Sequence, residues 1–165
     1  MTEQSDKLLS AHVREEIEHW LAKYPPDQRQ SAVLAALRAV QHENHGYLST
    51  ELMDAVADYL GMAKIAVYEV ASFYSMFETR PVGRHSVSIC TNISCMLNGA
   101  DDIVSHIENR LGIKIGESTP DGRIYLKQEE ECLAACCGGP MLMVDHVYHE
   151  SLSKEKVDQI LDQLD

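Results

Sequence analysis

The 165-residue chain is poor in basic residues: 14 Lys+Arg stand against 26 Asp+Glu, a formal net charge of −12. Sequence-independent binding to DNA or RNA needs clustered Lys and Arg that displace counterions, and docking on an anionic membrane surface needs them too. The acidic balance argues against both. A long hydrophobic run is also lacking. The longest apolar stretches, such as 32–37, fall far short of the ~20 residues of a membrane helix, so no direct membrane insertion is expected. The opening MTEQSDKLLSAHVREEIEHW carries charges throughout and no apolar core, unlike a secretory signal, which points to a cytoplasmic protein. Gly-x-Gly-x-x-Gly and Walker-type loops are missing, so nothing marks a nucleotide site. C-x-x-C is missing too, which removes the thioredoxin-type dithiol. There is no internal repeat and no low-complexity segment.

What is present is apolar material, 45% of residues, enough for one packed domain or a small domain with a helical extension. The first half reads as helices. Val13, Ile17, Trp20, Leu21 and Tyr24 repeat at helical spacing until Pro25-Pro26. Val33, Ala36, Leu37 and Val40 form a second stripe, which ends in the polar stretch 42–46. Ser49 is the expected N-cap of a third helix carrying Met53, Val56, Ala57 and Leu60, closed by Gly61. The stretch 65–77, IAVYEVASFYSMF, is apolar nearly all round. Such a helix is usually buried on every side, so a central core helix is expected; cover by another subunit is the alternative. After Arg80-Pro81-Val82-Gly83 the pattern changes. Residues 86–89 and 123–127 alternate as half-buried strands do. Residues 101–111 form an amphipathic helix, 141–144 and 147–149 a hairpin around Asp145-His146, and 157–164 a final helix. The expectation is an α+β chain: an all-helical part, 1–80, then a β-α-β-β-β-α part, 81–165.

All five cysteines lie in the second part. Cys90 and Cys95 form C-x4-C after the first strand, Cys132 and Cys136 form C-x3-C after the second, and Cys137 is adjacent. In a reducing compartment such a set points to metal binding rather than disulfides. Consecutive parallel strands end on the same side of a sheet, so the two pairs can meet at one edge. Four thiolates from two loops suit zinc or an iron–sulfur cluster. A [2Fe–2S] cluster needs two thiolates per iron, which two separated pairs supply. Zinc sites more often use C-x2-C pairs ~15–20 residues apart; here 36 residues intervene. Spacing leans to the cluster and leaves zinc open. A thiol-based redox enzyme and inert buried cysteines rank below both. Side chains of adjacent residues point apart, so Cys137 reads as a free or packed thiol. Gly138 and Gly139 are expected to let bare backbone N–H groups approach the sulfurs, and the acidic chain to give a low, negative reduction potential.

The segments GYLS (46–49), VYEVASFYSMF (67–77), PVGRH (81–85), CTNISC (90–95) and CLAACCGGP (132–140) resemble those of thioredoxin-like [2Fe–2S] ferredoxins. More narrowly, the chain resembles the E-subunit family of NADH–quinone oxidoreductase, respiratory complex I. The resemblance implies a thioredoxin-like α/β domain with a four-stranded mixed sheet behind an N-terminal helical bundle. It implies one [2Fe–2S] cluster, with Cys90 and Cys95 on one iron and Cys132 and Cys136 on the other. It implies a non-catalytic electron-transfer subunit, without NADH or quinone site, beside a subunit that binds FMN and NADH. Further peripheral-arm subunits and a place on the cytoplasmic side of the inner membrane are implied with it. NAD-linked hydrogenases and formate dehydrogenases have equivalent small subunits, which are the alternative. A structural zinc module for assembly is the alternative of another class. An isolated chain is expected to be able to form a homodimer through apolar surface left by the missing partner. Ala134 stands where the family commonly has Gly.

Overall fold

The structure, a computed structural model, describes residues 8–128 and 132–165. The chain divides into two compact units, Met1–Pro81 and Val82–Asp165.

The first unit holds helices α1 (Ala11–Leu21), α2 (Val33–Glu43), α3 (Thr50–Leu60) and α4 (Lys64–Phe73). Ser10 caps α1, its hydroxyl accepting from the Val13 N–H at 3.1 Å. Val13, Ile17 and Leu21 form the buried stripe. The helix stops earlier than the spacing suggests, because the Lys23 and Tyr24 N–H groups bond to the carbonyls three residues back and tighten the last turn ahead of Pro25. Ser49 caps α3 as expected, and Gly61 ends it at φ 72°, where a residue without Cβ meets no penalty. Leu48, just before that cap, is fully buried, and its N–H donates to the Glu78 carbonyl at 2.7 Å. The GYLS segment therefore serves the helical unit.

The expectation of a core helix over 65–77 is corrected. Helix α4 ends at Phe73 and buries Val67 and Ala71, while Ile65, Tyr68 and Phe73 are exposed, Phe73 at 79%. The chain leaves helical geometry at Tyr74 (φ −89°, ψ 124°). Phe77, beyond the helix, turns back into the core at 6% exposure. An all-apolar pattern does not say which face is covered, and here a non-helical residue fills the space.

The second unit runs β1 (His85–Ile89), α5 (Ile93–Leu97), α6 (Ala100–Leu111), β2 (Ile124–Gln128), β3 (Leu142–Val144), β4 (Val147–His149) and α7 (Lys154–Asp162). The sheet order is β2-β1-β3-β4. Strands β1 and β2 are parallel, from His85 opposite Ile124 to Ile89 opposite Gln128. Strand β3 is antiparallel to β1, and β4 to β3. Val87, Ile89, Ile124, Leu126, Leu142 and Val144 share one core with Ile103 and Ile107 of α6 and Val157, Ile160 and Leu161 of α7. The two helices are also tied at their surface: His106 Nε2 meets Asp158 Oδ1 at 2.8 Å, and Arg110 reaches Asp158 and Asp162. This is the expected α+β architecture with a four-stranded mixed sheet.

Three local features explain sequence choices. A Cβ on Gly83 would lie 2.5 Å from the Ile124 carbonyl carbon, so the PVGR segment can run against β2 only with glycine. Asp145 and His146 both have positive φ (46° and 72°), as a two-residue turn matching the strand twist requires. Asp145 is held there by β1: its Oδ1 accepts from the Ser86 N–H at 2.9 Å, and Oδ2 meets His85 Nδ1 at 2.6 Å. The short helix α5 is a difference from the sequence reading, which placed Cys95 in a loop. Asn92 caps it, its side chain accepting from the Ile93 N–H.

Candidate metal centre

Parallel pairing of β1 and β2 sends both chain exits to the same sheet edge. Ile89, the last residue of β1, is opposite Gln128, the last of β2. Cys90 follows β1 directly, and its N–H donates to the Met141 carbonyl at 3.2 Å. Cys95 lies in α5. Both are 1% exposed and pack with Ala100, Leu133 and Met141 in a small apolar cluster of their own. Cys132 and Cys136 are exposed, with their sulfurs 3.5 Å apart. Residues 129–131, which join β2 to Cys132, lie outside the described residues.

The two pairs meet. The Cys90 sulfur is in hydrogen-bonding reach of both Cys95 and Cys132, and Cys95 feels the charge of both Cys90 and Cys136. The four cysteines singled out in the sequence thus come together from the end of β1, helix α5 and the segment that follows β2. Among the described residues no group of three or more His, Cys, Asp or Glu side chains is set closely enough to hold a metal ion. Cys137 is exposed in the turn Cys136–Gly138, so it is a free thiol and not a packed one.

Backbone amides surround the sulfurs. Burial works against the Cys90 thiolate, but hydrogen bonds from the Leu133 and Asn92 N–H groups, with those of Cys95 and Cys132, outweigh it and hold the thiol below its ordinary range. Burial pushes Cys95 up, the neighbouring Cys90 adds to this, and the Met141 N–H opposes it. The hydrogen bond with Cys132, then its charge, raises Cys136. The Ala134 N–H donates to Cys132 Sγ at 3.3 Å. Thiols this close cannot all ionise unaided, and a positive centre between them would remove that conflict. The donor set therefore fits a group that binds thiolates in pairs.

The expected role of the two glycines changes in detail. The Gly138 N–H donates to the Ala135 carbonyl and not to a sulfur. Gly138 is needed because a Cβ there would lie 2.6 Å from Glu150 Cβ, whereas a Cβ on Gly139 would only press on Cys95 Sγ at 3.3 Å. The Gly139–Pro140 peptide is cis. The amides of Asn92, Leu133, Ala134 and Met141 escaped the sequence reading, since a main-chain donor leaves no side-chain signature. Ser94 escaped it too, although it lies inside the CTNISC segment: its hydroxyl donates to the Cys136 carbonyl at 3.2 Å.

Known proteins resemble this chain over most of its length. An E-type subunit of the NADH-quinone oxidoreductase of Rhizobium meliloti (strain 1021) is 43% identical over 150 residues, 91% of this chain and 87% of that protein. The NADH dehydrogenase [ubiquinone] flavoprotein 2, mitochondrial, of Dictyostelium discoideum is 41% identical over 148 residues, 90% of this chain and 60% of that protein. A crystal structure of NAD+-reducing [NiFe]-hydrogenase in the air-oxidized state shares the fold at a TM-score of 0.69, with 19% identity over 82% of this chain and 24% of the hydrogenase chain. The family model described as thioredoxin-like [2Fe-2S] ferredoxin matches residues 17–165. With both cysteine loops and most of the helical unit inside that match, the chain belongs to the thioredoxin-like [2Fe–2S] ferredoxin family.

Proposed function

We propose that the chain is an electron-transfer subunit of an NADH–quinone oxidoreductase, holding one [2Fe–2S] cluster next to the subunit that binds FMN and NADH. The observation that carries this reading is the gathering of Cys90, Cys95, Cys132 and Cys136 from the exits of two parallel strands. Cys90 and Cys95 would hold one iron, and Cys132 and Cys136 the other. The bound cluster would supply one-electron chemistry. The chain's own part is to hold four thiolates, to keep water from the Cys90–Cys95 side by burial, and to aim main-chain N–H groups at the sulfurs. Such donors stabilise negative charge on the ligands and so favour electron uptake. The chain carries out no acid–base or nucleophilic step and has no NADH or quinone site of its own. It sits on the cytoplasmic side of the inner membrane through the assembled complex; no helix among the described residues is long and apolar enough to cross a membrane.

The test is anaerobic purification followed by visible absorbance, EPR of the dithionite-reduced protein, and counts of iron, sulfide and zinc. Two irons, two sulfides and an S = 1/2 signal are expected; a colourless protein with one zinc would replace this reading with a structural assembly module. Cys90→Ala, Cys95→Ala, Cys132→Ala and Cys136→Ala should each abolish the binuclear signal, and Cys137→Ser should keep it. Full cluster content in any of the first four would refute the ligand set. The flavoprotein that co-purifies decides between the respiratory complex and a hydrogenase or formate dehydrogenase.

A further inference from the structure

The two halves of the candidate centre are held differently. Cys90 and Cys95 are fixed by packing against Ala100, Leu133 and Met141. Cys132 and Cys136 are exposed, so packing alone does not fix their distance from the buried pair. The Cys136–Gly138 turn is instead bonded through its main chain at both ends. The Ser151 N–H donates to the Gly138 carbonyl at 2.6 Å. At the ligand residue itself, the Ser94 hydroxyl donates to the Cys136 carbonyl at 3.2 Å. Ser94 lies in α5 beside Cys95, and its own carbonyl accepts from Asn98 Nδ2 at 2.7 Å, one helical turn on.

We propose that Ser94 is a positioning residue for the metal centre: its hydroxyl holds the exposed Cys132–Cys136 pair at the distance from Cys90 and Cys95 that a two-iron cluster needs. This inference rests on the cluster reading above. Bridging sulfides set the separation of two irons, so two thiol pairs serve one cluster only if the distance between them is fixed. The hydroxyl bonds to main chain and not to a sulfur. It therefore acts through the loop, and its removal leaves all four thiols in place. Helix propensity works in the opposite direction, since Ala is a better helix former than Ser; Ser94→Ala should not unravel α5.

Wild type, Ser94→Ala and Ser94→Thr are purified as full chains and loaded with iron and sulfide. Iron release to a chelator and the EPR spectrum of the reduced protein are then compared. Ser94→Ala should load two irons and two sulfides yet release iron about fivefold faster, the ratio produced by loss of a hydrogen bond worth ~1 kcal/mol. Its EPR signal should broaden or shift, because the loop holds the second iron in more than one geometry. Ser94→Thr keeps a hydroxyl and should follow wild type in both readouts. Equal release rates and superimposable spectra for wild type and Ser94→Ala would overturn the proposal, as would a Thr variant that behaves like the Ala variant. Should Ser94→Ala not load at all, loading by Ser94→Thr supports the hydroxyl's role, and failure of both overturns it. A wild type without a two-iron cluster overturns the underlying reading as well, and the metal count reveals this before any variant is compared.

Discussion

At Ala134 a small residue does the work of a glycine. It stands between Cys132 and Cys136 with φ at 63°, in the left-handed region, which costs a residue with a Cβ roughly 1–2 kcal/mol. Its N–H points at Cys132 Sγ, so the ligand loop itself imposes the conformation. Ala134→Gly removes that penalty and adds unfolded-state entropy of about 0.4–1 kcal/mol. The loaded protein should gain roughly 0.5–1 kcal/mol in denaturant unfolding, the difference between the two. A loss of stability would mean that the loop bears no such strain. The sequence marks this position only as an alanine in place of a glycine, and the positive φ gives that substitution its cost. Cys137 teaches the complementary lesson: adjacency to Cys136 implied a diverging side chain, yet whether that side chain is packed or free depends on the turn Cys136–Gly138.

Between elements, two phenylalanines four residues apart separate the covered from the uncovered part of one apolar segment. Phe77 is in the helical core and Phe73 is exposed at the end of α4. Phe77→Ala should cost about 3–5 kcal/mol in denaturant unfolding, whereas Phe73→Ala should stay within about 0.5 kcal/mol; similar losses would place both in the core. A second tie joins α3 to α1: Tyr59 Oη donates to Glu18 Oε1 at 2.7 Å. Burial first, then the Glu18 hydrogen bond and charge, raises the Tyr59 pKa to about 12. The folded pKa lies above the unfolded value of about 10, so the contribution is complete below pH ~10 and is lost as pH rises towards 12. Tyr59→Phe should remove that alkaline decline from a stability–pH profile; an unchanged decline would trace it to other groups. Caps and stripes made the helices legible, Ser49 and Gly61 most clearly, because both act locally. The burial of α4 was not legible, since it depends on Phe77 returning from outside the helix. Helix α5 was hidden by its five residues, too few to display a period.

Across the whole molecule, the cysteine spacings could be converted into a site because topology amplifies them. Two loops 36 residues apart in sequence meet only if β1 and β2 run parallel and adjacent, and that pairing follows from an amphipathic helix, α6, spanning the gap between two short strands. What spacing could not supply is the electrostatic setting, which is a property of the whole chain. The net charge of −12 opposes adding an electron at the thiol cluster, while the N–H groups of Asn92, Leu133, Ala134 and Met141 favour it. The amide contribution acts at contact distance and is untouched by salt. The charge contribution is long-range, and it is screened as the Debye length falls from ~30 Å at 0.01 M to ~3 Å at 1 M. If the proposed cluster is bound, its reduction potential should therefore be negative in dilute buffer and rise as salt is added. Redox titration of the loaded protein, followed by EPR over that range, measures both parts. A potential well above zero would contradict the dominance of the acidic field, and one that falls with added salt would reverse the sign assigned to it.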